Sequence, residues 1–92
     1  MEIRIDAALL MGQPAAAIVL AEHAIGSSAL RERPRAQLML ALYRCGRQVD
    51  ALAAFANFRA LLDDDLGLSP SAELTALHQR ILRQDARPSA GP

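Results

Sequence analysis

The stretch QLMLALYRCGRQVDALAAF, running from Gln37 to Phe55, carries two helical patterns on either side of one glycine. Leu38 and Leu42 stand one helical turn apart at its start, Ala51 and Phe55 stand one turn apart at its end, and Gly46 lies between. Residues four apart share a helix face, so each half predicts a helix with something to bury. A glycine between two such halves predicts a tight turn, because it enters the left-handed backbone region at no steric cost. Ala51 lets two backbones approach closely, and the Phe55 ring fills the gap between helices. The stretch reads as a hairpin of two helices packed across Gly46.

The same pattern recurs upstream. Gly12 precedes Gly46 by 34 residues and Ala17 precedes Ala51 by 34, with Ala21 where Phe55 stands in the second copy. Thirty-four residues is the tetratricopeptide period. One such hairpin cannot bury its face alone, so neighbouring hairpins must stack on it. The expected fold is all-α, with tetratricopeptide-like hairpin repeats and about five helices near residues 2–11, 14–25, 31–45, 48–65 and 70–84. The last of these caps the stack.

Gly12, Gly26, Gly46 and Gly67 each follow an apolar periodic stretch and are expected to end helices as left-handed caps. In the third and fourth helices the apolar faces are Leu38, Leu42 and Cys45, then Leu52, Phe55 and Leu62, with Arg59 snorkelling at the edge. The fifth repeats the pattern with Leu74, Leu77, Ile81 and Leu82, and opens with Ser69 as N-cap and Pro70 as first helical residue. Pro34 is tolerated in a first turn, which starts the third helix near Arg31. Residues 1–84 form the expected domain; 85–92, rich in Pro, Gly and Ser, are expected to be a disordered tail.

Composition narrows function. The chain has 92 residues, 52% of them hydrophobic, chiefly Ala and Leu, with 3% aromatic. Ten basic residues, all Arg, balance ten acidic ones. A net charge of zero lacks the field that draws proteins to phosphate backbones, so direct nucleic-acid binding is not expected. A single cysteine precludes an internal disulfide, and neither a signal peptide nor a run of about 18 apolar residues occurs. The expected location is the cytoplasm, with no membrane partner.

The residues then show a more specific likeness. The run Leu30-Arg31-Glu32-Arg33, the run Gln37 to Gln48, the run Ala51 to Phe55, and the ending Leu66-Gly67-Leu68-Ser69-Pro70-Ser71-Ala72-Glu73-Leu74 with Leu77-His78 and Ile81-Leu82 resemble the bacterial transcriptional activator domain. The resemblance covers roughly residues 3–83. In that family, which includes the antibiotic regulatory proteins of actinobacteria, this domain follows a winged-helix DNA-binding domain and assists activation through protein contacts. The resemblance implies a regulatory protein-interaction domain, truncated at its N-terminus and without its own DNA-binding domain. It departs from the family at Pro34 and in the connector Gly26-Ser27-Ser28-Ala29.

Chemistry is otherwise thin. His23 and His78 have no second Cys or close His to complete a metal site, and no cofactor or catalytic centre is expected. Cys45 reads as a small buried hydrophobe. Asp63, Asp64 and Asp65 read as a solvated helix end compensated by Arg59 or a neighbouring arginine, and Arg31, Arg33 and Arg35 as a solvated first turn. Ala53, Ala54 and Ala56 occupy positions where a recognition helix would need base-reading side chains.

The residues expected to matter are therefore structural: Gly12, Ala17, Leu38, Leu42, Gly46, Ala51 and Phe55 in the hairpins, and Leu74, Leu77 and Ile81 docking the last helix. The expected partner is a protein, either the transcription machinery or a DNA-binding subunit. The alternative is a scaffold or dimerisation module unrelated to transcription, paired with a second copy through an apolar N-terminal face including Ile3, Ile5 and Leu9.

Overall fold

A computed structural model describes residues 2–84, which form five α-helices. They are α1 (Glu2–Leu10), α2 (Pro14–Ser27), α3 (Glu32–Arg44), α4 (Gln48–Leu66) and α5 (Ala72–Leu82), with no strand among the described residues. α1 and α2 form one hairpin, α3 and α4 the next, and α5 begins a third layer. The odd-numbered helices lie in a row, α1 beside α3 and α3 beside α5, while α2 packs on α1 and α3 and α4 on α3 and α5.

The 34-residue offset survives in the backbone. At Gly12, with φ of 70°, the Gln13 N–H reaches the Ala8 carbonyl at 2.8 Å; at Gly46, with φ of 77°, the Arg47 N–H reaches the Leu42 carbonyl at 2.9 Å. The next helix starts alike in both, with Ala17 N–H on the Gln13 carbonyl and Ala51 N–H on the Arg47 carbonyl. Both turns use positive φ to close the preceding helix, a region that only glycine enters cheaply.

Ala17, Ala21 and Ala51 are fully buried, and Ala24 nearly so. At the positions 34 residues after Ala21 and Ala24 the second hairpin carries Phe55 and Phe58, and Phe58 is 1% exposed. Small side chains let α2 lie close to its neighbours, whereas α4 leaves room for rings. Ile5, Met39, Leu74 and Ile81 are also fully buried, so every odd-numbered helix contributes to one core.

Four expectations about the elements are corrected. Gly26 is not a cap: it has no positive φ and lies inside α2, which runs on to Ser27 because the Ser28 N–H still bonds the Ala24 carbonyl at 3.0 Å. The N-cap of α5 is Ser71, whose hydroxyl accepts from the Leu74 N–H at 3.1 Å; Ser69 is exposed and Pro70 precedes the cap. Cys45 is exposed, since it sits at the C-cap of α3 where the chain turns outward into Gly46. Leu82 is also exposed, at the fraying end of α5. Pro34 is buried at the third position of α3, where no helical hydrogen bond is lost. The expected tail, 85–92, lies outside the described residues.

Candidate interaction site

The row of odd-numbered helices is fastened by polar side chains at both ends. Between α1 and α3, Asp6 accepts from the Gln37 amide at 2.7 Å and pairs with Arg33, and the Arg44 guanidinium donates to the Leu9 carbonyl at 3.2 Å. Between α3 and α5, Glu32 accepts from the Ser71 N–H at 3.1 Å and from the Ser71 hydroxyl, and just past the far end of α3 the amide of Gln48, the first residue of α4, donates to the Ile81 carbonyl of α5 at 2.9 Å. These contacts fix all three helices parallel, N-terminal ends together. The Gln37 amide, followed by Arg33, holds the Asp6 carboxyl below the usual carboxylate range against the opposing effect of burial.

The arginine cluster is thus more than a solvated turn. Arg33 pairs with Asp6, and Arg35 lies 5.0 Å from the Phe58 ring centroid while donating to the Ala29 carbonyl at 2.9 Å. Burial lowers the Arg35 pKa. Compensation of the Asp63–Asp65 run, in contrast, is absent among the described residues, where no hydrogen bond or ion pair of its side chains occurs. Arg59 lies instead beside Phe55, at 5.9 Å from the ring centroid.

Of the residues singled out from sequence, Ala17, Leu38, Leu42, Ala51, Phe55, Leu74 and Ile81 are buried, Leu77 is half-buried, and Gly12 and Gly46 form the two turns. They come together as the interior. The surface features were not among them. Ile5 and Leu9 are buried inside the molecule, while on the opposite side of α1 Ile3, Leu10 and Met11 are 84%, 87% and 71% exposed, with exposed Ala7 between them. Spacings of three, four and seven put these on one face. α1 is therefore apolar on both sides, a signal present in the sequence from residue 3 to residue 11.

A second feature lies between the N-terminal halves of α3 and α5: an open groove of about 350 Å³ lined by Glu32, Arg33, Ala36, Glu73 and Leu74. Among the described residues no group of three or more metal-ligating side chains occurs, and no helix is long and apolar enough to cross a membrane.

A short stack of helical hairpins with an apolar outer helix and a grooved row defines a tetratricopeptide-like repeat module. The chain belongs to the bacterial transcriptional activator domain family, whose model matches residues 1–82. It is 47% identical over 94 residues to regulatory protein AfsR of Streptomyces griseus, covering 99% of this chain and 10% of AfsR. It is 44% identical over 85 residues to transcriptional regulator RedD of Streptomyces coelicolor, covering 92% of this chain and 24% of RedD. The solved structure of Mycobacterium tuberculosis EmbR in complex with a low affinity phosphopeptide matches with a TM-score of 0.87 and 37% identity, over 90% of this chain and 22% of that one. The chain thus spans between a tenth and a quarter of the length of these proteins.

Proposed function

We propose that this chain is the protein-contact part of a transcription regulator, contributing to activation by docking another polypeptide and performing no chemistry of its own. DNA recognition belongs, on this reading, to a different domain, consistent with a formal charge of zero. The partner is the transcription machinery or a DNA-binding subunit, and the place of action is the cytoplasm.

The observation that carries the reading is the exposed face Ile3, Ala7, Leu10 and Met11. Contiguous exposed apolar side chains mark a contact surface. Tethering the chain to an unrelated DNA-binding domain upstream of a reporter in an actinobacterium tests it. Reporter transcription should rise, and Leu10→Glu should abolish the rise while leaving the helical circular dichroism unchanged. A folded, tethered chain that leaves transcription at background removes the reading.

The same face supports a second arrangement, pairing with another copy. In an antiparallel α1 pair Ala7 sits near the axis with Ile3 of one copy toward Leu10 of the other, a self-complementary pattern of the kind that two-fold dimers use. Sedimentation equilibrium decides it: a mass that doubles with concentration in the native chain and not in Leu10→Glu supports pairing, and a monomer at all concentrations excludes it.

A further inference from the structure

The groove lies between the N-terminal halves of α3 and α5 and shares no residue with the exposed face of α1. Its floor is apolar: half-buried Ala36 presents the accessible surface, backed by Leu74, which is itself buried in the core. Its rim is acidic. Glu32 is held in place by two neutral donors, the Ser71 N–H and hydroxyl, which orient the carboxylate without cancelling its charge. Glu73, on the first turn of α5, is exposed, and among the described residues no hydrogen bond or ion pair engages it. Among the described residues that line the groove the cation is Arg33, which is paired with Asp6 on α1.

An apolar floor beneath carboxylates contributed by two helices fits a particular side chain, one with an aliphatic stem and a cationic head. The stem covers the floor while the head meets the rim, the way arginine and lysine divide themselves between apolar surface and charge. Both carboxylates sit on helices whose separation is set by the Glu32–Ser71 contact, so the groove is formed before a ligand arrives, which lowers the cost of binding.

We propose that this groove is a docking site for a basic peptide segment, an arginine or lysine flanked by an apolar residue, presented by a partner protein. The proposal rests on the reading of the chain as a protein-contact module and gives that reading a second surface with its own chemistry. A phosphorylated segment does not fit, because its charge would face Glu32 and Glu73.

The test uses the whole chain labelled with nitrogen-15 and the peptide acetyl-Leu-Arg-Leu-amide as probe. Amide shifts should change at Glu32, Arg33, Ala36, Glu73 and Leu74, with a dissociation constant on the order of millimolar, as suits so small a ligand. Replacing the peptide's arginine by glutamine, or Glu73→Gln in the protein, should each weaken binding about two- to five-fold, and added salt should weaken it further. Glu73→Gln leaves the Ser71 cap intact, so the fold is preserved. Shifts confined to the α1 face, equal binding of the glutamine peptide, or tighter binding of a phosphothreonine peptide would each overturn the proposal. The reporter assay reads Leu10 and α1, so failure of the peptide to bind here leaves the activation reading standing, and failure of the reporter leaves a measured groove affinity untouched.

Discussion

The imidazole of His78 lies flat on the ring of Phe55, with centroids 4.0 Å apart and planes inclined by only 10°. One residue belongs to α5 and the other to α4, so the stack is part of what seats the last helix. Burial, and then the positive charge of Arg59, lower the His78 pKa below its ordinary value. The folded chain therefore binds fewer protons here than the unfolded chain. Stability from the neutral ring is complete above about pH 6.5, the unfolded value, and is lost as pH falls through the lower folded value. Thermal melts should show a lower Tm at about pH 5 than at about pH 7.5. His78→Gln should flatten that dependence, because Asp6, held below the usual carboxylate range, stays ionised throughout the interval.

The two phenylalanines give a stability prediction with an internal control. Phe55→Ala and Phe58→Ala should each cost about 3–5 kcal/mol, since both rings are buried and the space cannot collapse fully. Only Phe55→Ala should also move the His78 ring resonances, because Phe55 is the ring it stacks on. Equal movement in both variants would mean that α5 had detached as a unit.

Two glycines should respond in opposite directions. A Cβ at Gly26 or Gly46 meets nothing within 4 Å, so space does not separate them and backbone conformation does. Gly26 is helical, and Gly26→Ala should stabilise by about 0.5–1 kcal/mol. Gly46 has φ of 77°, and Gly46→Ala should cost about 1–2 kcal/mol. Urea unfolding of the two variants measures both signs.

The serines flanking Pro70 separate in the same way. Ser71→Ala removes the cap of α5 and the hydroxyl donor to Glu32 together while leaving the backbone N–H to Glu32, at an expected cost of about 0.5–2 kcal/mol. Ser69→Ala, at an exposed position, should stay within about 0.5 kcal/mol of the native chain. Hydrogen exchange at the Leu74 amide should accelerate only in the first.

These pairs also show where the sequence was legible. Gly12 with Gly46 and Ala17 with Ala51 announce their roles through spacing, because a turn and a close approach make local demands on residue type. Phe58 follows Phe55 by three residues and so carried a readable signal that Leu52 and Leu62 obscured. Ser69 and Ser71 both satisfy the local rule for a cap; what decides between them is Glu32, 39 positions away. The brackets through Asp6, Arg44 and Gln48 likewise join residues 31 to 35 positions apart, and no local pattern distinguishes such side chains from solvated ones. Cys45 differs from its expectation for a related reason: periodicity places it on the apolar stripe, but the stripe ends one residue before the chain leaves the helix. The groove rim is legible only once α3 and α5 are known to be neighbours.

Arg44 and Gln48 stand two residues to either side of Gly46, and each reaches a different neighbour, Arg44 the end of α1 and Gln48 the end of α5. α1 and α5 share no contact among the described residues, so the central turn is a junction through which both are held. An inserted or deleted residue there would shift both brackets out of reach at once, whereas lengthening the link from Gly67 to Pro70 would disturb neither. Insertions among related chains should therefore gather in that later link and spare the junction, and a functional circular permutant should tolerate new termini near Leu68 and fail with termini at Gly46.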